Sequence, residues 1–324
     1  MFMEGYLKEL KNCTLCEWRC GVNRLEGEKG VCMLGEPKIA STTLHPAPPQ
    51  SYTVFMAGCN YRCLNCQNWT IAHFPEKDTR VRGYLAPKQL SKEAVAKIRS
   101  RRGSAIGADR IFFSGGSPTP SLPYVEKVVE EARKIDGGIK VNYDTNGFLT
   151  EPSLERVLDF TDSITFDIKA FEDRTHRELT GAPVEPVLRN AKTVAERAPD
   201  KLWEYRYLLI PGVNEKDVEP LAEFLAEIDE SLPLNFLAFR PNFVLEDHPG
   251  AGRKELESAV KRAKRAGLEN VSWTGSPGIS GEKDEIDISR KSRELGCTSD
   301  LRNCGGCEKK FKCPVKKYRP GGLR

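Results

Sequence analysis

Residues 52–66 have the sequence YTVFMAGCNYRCLNC, in which a short apolar run leads directly into three cysteines. The run is rich in β-branched and aromatic residues and predicts a strand over 52–56. The cysteines follow as a loop, at spacings of four and three residues. They are too close together for ordinary core cysteines and odd in number for disulfides, so soft thiolates in this pattern predict an iron–sulfur cluster or zinc. The three residues are Cys59, Cys63 and Cys66.

The number of cysteines in this loop indicates a working site rather than a structural one. A cubane cluster has four irons, so three cysteines leave one iron without a protein ligand. An open coordination position is typical of catalytic metal sites. The alternative from the residues alone is a structural metal knuckle, which would need a fourth ligand nearby. The nearest candidate is His73, seven residues after Cys66.

The rest of the central region repeats an apolar run followed by an amphipathic stretch. The runs predict strands over 52–56, 110–113, 139–143, 163–168, 203–210, 234–239 and 270–273. Apolar spacings of three and four predict helices over 89–101, 121–135, 184–197, 215–228 and 254–266, and another from about residue 153. Repeated β–α units require a parallel sheet, so we expect an α/β fold, either a partial (β/α)6 barrel or a full one. The cysteine loop follows the first strand, at the edge where such folds carry their chemistry.

The Cys-x3-Cys-x2-Cys pattern, with Gly58 before it and QNW at 67–69 after it, resembles the signature of radical S-adenosylmethionine (SAM) enzymes. The flanking residues resemble the branch related to pyruvate formate-lyase activating enzymes. This resemblance implies a partial (β/α)6 TIM-like barrel of the radical SAM type, with cysteine-rich N- and C-terminal extensions. It also implies a [4Fe–4S] cluster whose open iron binds the amino and carboxylate groups of SAM. Reductive cleavage of SAM would then give a 5′-deoxyadenosyl radical that removes hydrogen from a substrate.

The resemblance further implies which residues contact SAM. The family holds the SAM amino group on the backbone of a Gly-Gly-Glu-Pro motif, and residues 115–118 here are GGSP, with serine replacing glutamate. The family usually has an aromatic residue before the third cysteine, where this chain has asparagine, so the adenine would stack on another ring such as Tyr61 or Trp69. Lysine and arginine at two strand ends would bind the SAM carboxylate. The implied contacts are Tyr61, Asn65, Gly115, Gly116, Ser117, Pro118, Asn146, Asp167, Lys169 and Arg206.

Two further groups of four cysteines flank the central region. Each contains Cys-x2-Cys, a strong metal signal because the turn that it closes lets both sulfurs face one ion. For the first group, zinc, iron and a further cluster all stay open. The second group partly resembles the auxiliary-cluster domains of radical SAM enzymes, although Lys317 stands where the next cysteine is expected, and it implies an auxiliary [4Fe–4S] cluster. The groups are Cys13, Cys16, Cys20 and Cys32, and Cys297, Cys304, Cys307 and Cys313.

These features divide the chain into three predicted regions. Residues 1–50 form a cysteine-rich extension that ends in an extended connector over 37–51, residues 51–276 form the radical SAM barrel, and residues 277–324 form the C-terminal extension. The chain of 324 residues has a net charge of +4 with interspersed acids and bases, which indicates no nucleic-acid surface. It has no stretch of 18 apolar residues. With 11 cysteines and no export signal at its start, we expect a cytoplasmic protein with no membrane partner.

The resemblance predicts an enzyme whose substrate is a protein or peptide, as expected of a glycyl-radical activase, with an electron donor such as ferredoxin or flavodoxin. Two alternatives stay open. One is peptide or cofactor maturation that uses auxiliary clusters. The other is an iron–sulfur electron-transfer protein without turnover, which would close the fourth iron position with a side chain.

Overall fold

The computed structural model describes residues 5–75, 79–278, 286–298 and 307. Contacts divide the chain into two compact units. Unit 1 comprises Met1–Asn60 and Asn68–Ile164, and unit 2 comprises Tyr61–Gln67 and Thr165–Arg324. No helix in the described ranges is long and apolar enough to cross a membrane.

Strands and helices alternate along both units, as the sequence predicts. The strands are β1 Ile39–His45, β2 Ser51–Met56, β3 Arg110–Gly115, β4 Lys140–Thr145, β5 Ser163–Asp167, β6 Leu202–Leu209, β7 Leu234–Ala238 and β8 Val271–Thr274. The α-helices are α1 Trp69–Ala72, α2 Pro87–Ile98, α3 Arg101–Ala105, α4 Leu122–Ile135, α5 Glu151–Phe160, α6 Asp173–Thr180, α7 Glu185–Arg197, α8 Val218–Ala226, α9 Arg253–Arg265 and α10 Ile288–Glu294. Together with the parallel strand pairs in each unit, this alternation confirms the predicted α/β class and the β–α repeat of a partial TIM-like barrel.

The sheet of unit 1 places β1 antiparallel to β2, while β2, β3 and β4 pair in parallel. Inward side chains such as Val54, Phe113 and Val141 are completely buried, as expected for parallel strands covered on both faces. The buried face of α4 carries Val125 and Val128 one turn apart. Burial of each such side chain contributes about 1.5–3 kcal/mol.

In unit 2, β6, β7 and β8 pair in parallel, and the amide of Ile168, just after β5, donates to the carbonyl of Arg206 in β6 at 2.9 Å. Polar groups are satisfied within the same core. The buried Asp217 carboxylate accepts from the amides of Phe171 (2.8 Å) and Glu172 (3.1 Å). These bonds attach the loop after β5 to the start of α8.

Several elements differ from the sequence prediction, among them the short helices α1 and α3. The connector predicted over 37–51 contains β1, which borders β2. Helix α6 was not predicted, because its residues DRTHRELT show no apolar stripe. Local interactions form it instead, since the Glu172 side chain caps its first turn and Gly181 ends it at φ +87°. The extension predicted over 277–324 contains α10, which begins where the Asp287 side chain accepts from the amide of Arg290 at 2.7 Å.

Candidate metal and cofactor site

The cysteine loop begins in unit 1 at a turn that only glycine fits. Gly58 lies at φ +78°, and its amide donates to the carbonyl of Ile71 at 2.8 Å. A Cβ at this position would lie 2.5 Å from the Leu34 side chain. Cys59 follows at once and is buried. The sharp turn after β2 therefore directs the first cysteine into the interior.

The remainder of the loop, Tyr61–Gln67, belongs to unit 2 and is fastened by its backbone. The amides of Arg62 and Leu64 donate to the carbonyls of Thr180 (3.0 Å) and Leu179 (2.9 Å) at the end of α6. This ladder holds the backbone on either side of Cys63. Both Cys63 and Cys66 remain partly exposed, whereas Cys59 is buried.

The Gly115–Gly116 turn after β3 approaches other backbone closely in unit 1. The Gly116 amide donates to the Met56 carbonyl (2.8 Å), and the Ser117 amide donates to the Gly58 carbonyl (2.9 Å). A Cβ on Gly116 would lie 2.2 Å from that Gly58 carbonyl oxygen. Packing of this turn onto the start of the cysteine loop therefore accounts for its glycines. The contact of residues 115–118 with SAM stays a prediction.

Substitution of Gly116 by alanine should lower the free energy of unfolding by about 2 kcal/mol, because the clash is with backbone that cannot rotate away. Thermal or urea unfolding of the full chain measures this. Gly137→Ala is the matched control, since a Cβ there meets nothing within 4 Å and should change stability little. Equal stability of both variants would contradict the packing explanation.

The predicted Asn146 lies in the loop after β4 and pairs with the residue that follows Cys59. Its side-chain amide donates to the Asn60 Oδ1 at 2.7 Å, and both residues are buried in unit 1. The sequence did not single out Asn60, because its partner lies 86 residues away along the chain. This bond positions the cysteine loop, and it leaves a direct role of Asn146 toward SAM as a prediction.

In unit 2 the predicted Asp167, Lys169 and Arg206 form one charge cluster. The two Asp167 carboxylate oxygens accept from Lys169 Nζ at 2.7 Å and from Arg206 Nε at 2.8 Å. The three side chains are 20%, 21% and 19% exposed, so this is not a surface ion pair. Burial disfavours the Asp167 anion, but Arg206 and Lys169 outweigh it and lower the pKa of that carboxyl. The cluster thus places two cations beside one carboxylate in the interior of unit 2.

Two further residues of the cysteine loop, Tyr61 and Asn65, are buried in different surroundings. The Tyr61 ring is buried and packs edge-on against His176 at 5.6 Å between centroids. Asn65 is 4% exposed, and its Oδ1 has no hydrogen-bond partner among the described residues. Native structures leave few buried acceptors unsatisfied, so this oxygen fits a donor supplied by a ligand.

The first outer cysteine group forms one pocket in unit 1. Its four thiols line it together with Trp18 and Arg24. Burial raises the pKa of the Cys16 thiol well above its usual range, and the neighbouring thiols raise it further. Arg24 is fully buried and was not recognised from the sequence. An arginine between closely spaced cysteines is the signal that would have indicated it.

Two non-glycine residues beside this pocket have left-handed backbone. Arg19 (φ +41°) precedes Cys20, and Met33 (φ +60°) follows Cys32. Each such conformation costs about 1–2 kcal/mol. Strain of this kind is typical of functional sites, where other interactions offset it.

The second outer group is described only in part. Cys297 and Cys307 are partly exposed, and the Cys307 Sγ lies 3.9 Å from the Thr298 Oγ1. Cys304 and Cys313 lie outside the described residues. The auxiliary cluster predicted there stays a prediction.

Comparison with known proteins gives a family and several relatives. The model of the radical SAM superfamily matches residues 53–225, more than half of the chain. An uncharacterized protein of Methanocaldococcus jannaschii is 27% identical over 307 residues, which cover 87% of this chain and 86% of that protein. The pyruvate formate-lyase 1-activating enzyme of Escherichia coli is 28% identical over 233 residues, which cover 69% of this chain and 87% of the enzyme.

A solved domain of a pyruvate-formate lyase-activating enzyme from Bacteroides vulgatus aligns with 51% of this chain and 98% of its own, at 23% identity and a TM-score of 0.41. The extent of the family match includes the turn after β2, the glycine turn after β3 and the charge cluster on β5 and β6. Membership of this family implies an enzyme that uses a [4Fe–4S] cluster and SAM. The chain thus belongs to the radical SAM superfamily.

Proposed function

We propose that this radical SAM enzyme binds its [4Fe–4S] cluster through Cys59, Cys63 and Cys66, cleaves SAM reductively there, and removes hydrogen from a protein or peptide. The observation that carries the proposal is the cysteine loop itself. It follows β2 directly, and backbone hydrogen bonds fix the chain on both sides of Cys63. Ligands held in this way need little further ordering when a cluster binds.

The charge cluster of unit 2 supports SAM binding. Asp167 holds Lys169 and Arg206 in place, and two positioned cationic donors suit the carboxylate of SAM. Arginine presents a planar fork that matches a carboxylate, and lysine adds a point charge. The unsatisfied Asn65 oxygen supplies an acceptor for a donor group of the same ligand. These residues bind and orient; they do not supply the chemistry.

The bound cluster and SAM supply the reaction itself, one-electron cleavage that gives a 5′-deoxyadenosyl radical. The protein excludes water and fixes geometry around it. Cys59 is buried, and so are the side chains on either side of Cys63, Arg62 and Leu64. An electron donor such as ferredoxin or flavodoxin would reduce the cluster.

The relatives support a macromolecular substrate. The Escherichia coli relative is named as the activating enzyme of pyruvate formate-lyase, which is itself a protein, and most of its length aligns with this chain. We therefore assign this chain a protein or peptide as the hydrogen donor, as in glycyl-radical activation.

Replacement of Arg206 by glutamine should weaken SAM binding about tenfold, because it removes one charged hydrogen-bond donor. Titration calorimetry on the reconstituted protein under anaerobic conditions measures the affinity. Arg133→Gln is the matched control, because its partner Asp162 is an exposed carboxylate far along the chain from the cysteine loop. Unchanged SAM affinity in Arg206→Gln would contradict a role of the charge cluster in SAM binding.

The substrate class is tested by deuterium transfer. The reconstituted enzyme, dithionite and SAM are incubated with an extract of the source organism grown in heavy water and divided by size into macromolecules and small molecules. We expect deuterium in 5′-deoxyadenosine from the macromolecular fraction, and loss of that transfer after protease treatment. Transfer from the small-molecule fraction alone would contradict a protein or peptide substrate, while leaving SAM cleavage intact.

A further inference from the structure

The leader of unit 1 contains a second thiol cluster that the radical SAM reaction does not require. Cys13, Cys16, Cys20 and Cys32 line a single pocket. Two segments of this leader pack closely together, since a Cβ on Gly30 would lie 2.9 Å from the Cys20 sulfur. Four thiols converging on one space are the ligand set of zinc, of a single iron or of an iron–sulfur cluster.

The arrangement of these thiols favours a cluster over a single ion. A single tetrahedral ion needs all of its sulfurs at about 2.3 Å from one point. Among the described residues, no group of three or more His, Cys, Asp or Glu side chains is arranged to hold one metal ion, although the four leader thiols line one pocket. A cubane needs no common point, because each thiolate binds a different iron.

A buried cation provides an independent indication of anionic sulfur. Arg24 is 1% exposed. Its Nε donates to the carbonyls of Leu34 and Gly35, both at 3.1 Å, and its Nη1 donates to the carbonyl of Pro120 at 2.6 Å and lies 3.5 Å from the Cys13 sulfur. Its Nη2 has no partner among the described residues.

None of these contacts is with a carboxylate, and a buried guanidinium without a counter-charge is strongly unfavourable. Neutral thiols do not provide that charge. Thiolates bound to a metal do, because coordination deprotonates them. The Arg24 cation and its unsatisfied Nη2 are thus accounted for when the pocket carries net negative charge.

The leader also contacts the loops that follow three strands of unit 1. The Trp18 indole donates to the Asn60 carbonyl, beside Cys59, at 2.7 Å. Arg24 reaches the carbonyl of Pro120 after the glycine turn. The Thr150 hydroxyl, after β4, donates to the Thr14 carbonyl at 3.1 Å. Each contact comes from a residue next to or between the leader cysteines.

We propose that Cys13, Cys16, Cys20 and Cys32 hold a four-thiolate iron–sulfur cluster with Arg24 as its buried counter-charge, and that this cluster fastens the leader onto the loops after β2, β3 and β4. The centre is distinct from the SAM-cleaving cluster, and the inference does not rest on the proposed substrate. Its role is to position the cysteine loop, through Trp18 and Asn60, and the glycine turn, through Arg24.

The metal is identified by analysis of the full chain, reconstituted anaerobically with iron and sulfide. Relative to the native chain, the Cys16→Ala/Cys20→Ala variant should lose about four irons and four sulfides, as one cubane contains. Loss of one zinc, loss of one iron without sulfide, or no loss at all would each overturn the cluster. Hydrogen exchange on the same variant should accelerate at 145–150, while α9 of unit 2 serves as the internal control. Unchanged exchange at 145–150 would overturn the fastening role.

The role of Arg24 as a counter-charge is tested through the reduction potential of the leader cluster. A residue with a purely structural role would not shift this potential selectively. The measurement uses the full chain with the cysteines of the other two groups replaced by alanine, so that only the leader can hold a cluster. These are Cys59, Cys63, Cys66, Cys297, Cys304, Cys307 and Cys313. Arg24→Leu should shift the leader cluster to more negative potential, because it removes a positive charge and a donor near sulfur. Arg24→Lys should stay near the unsubstituted value. Lys11→Gln, an exposed cation of the same leader, should not shift it. A potential that is the same in Arg24→Leu and Lys11→Gln would contradict the counter-charge.

Discussion

Replacement of Cys63 by alanine should abolish SAM cleavage, with a loss of at least about a thousandfold in 5′-deoxyadenosine formation. The cluster would lose one of only three protein ligands, and thiolate is the ligand type that iron–sulfur clusters require. The substitution removes little packing, because Cys63 is partly exposed and its neighbours are held by backbone hydrogen bonds that alanine retains. Anaerobic reconstitution, dithionite and SAM, followed by chromatography of 5′-deoxyadenosine and methionine, measures the effect.

Cys297→Ala is the control for this prediction, because Cys297 is also a partly exposed thiol but belongs to the C-terminal group. It should retain SAM cleavage at the central cluster. If Cys63→Ala still forms 5′-deoxyadenosine at the native rate, the ligand assignment is wrong. If the native chain itself forms none, zinc at its central cysteines would favour the structural alternative, whereas a cluster with four protein ligands would favour the electron-transfer alternative.

Acidification should destabilise unit 2 through His176. The residue is completely buried, its Nδ1 lies 2.7 Å from the Ala182 carbonyl, and its Nε2 has no partner among the described residues. Burial lowers the pKa of His176 from 6.5 to about 4. The unfolded chain takes up a proton below pH 6.5, whereas the folded chain resists it until about pH 4. Stability is therefore full above pH 6.5 and is lost as the pH falls.

The size of this effect follows from about 1.4 kcal/mol for each unit of pKa difference. Between pH 7 and pH 5 the loss is about 2 kcal/mol, and by pH 4 it is on the order of 3 kcal/mol. Urea unfolding of the native chain and of His176→Gln across this range isolates the contribution, because all other titrating groups are shared. His45→Gln, which alters an exposed histidine, should track the native chain. Parallel curves for native and His176→Gln would rule out the mechanism.

Periodicity alone predicted the strands and most of the long helices, because a buried parallel strand is a continuous apolar run and a covering helix has an apolar stripe. Strand β2 and helix α4 are examples, found within one or two residues of their predicted bounds. Periodicity did not predict helix α6, because this helix depends on capping by Glu172 and on a terminal glycine rather than on burial of an apolar face. Its end nevertheless supports the cysteine loop.

The site was predictable to the extent that its chemistry is local. The spacing of Cys59, Cys63 and Cys66 indicates a metal site by itself, and the family resemblance indicated Asp167 and Lys169. Contacts that depend on the tertiary fold could not be predicted from the sequence. The Asn60–Asn146 pair joins residues far apart along the chain. In the turn after β3, Gly116 cannot carry a side chain because a Cβ would clash with the Gly58 carbonyl. No spacing rule encodes either relationship.

The solitary guanidinium of Arg24 has a consequence for how the polypeptide matures. If the proposed leader cluster is present in the mature protein, a newly synthesised chain without iron would carry an uncompensated cation in its interior, which weakens the docking of the leader. Cofactor delivery to the leader should then precede durable accumulation, and quality-control proteases should begin at that end. Cells starved of iron should accordingly contain less of this enzyme, trimmed from its amino terminus, rather than an intact apoprotein waiting to be loaded.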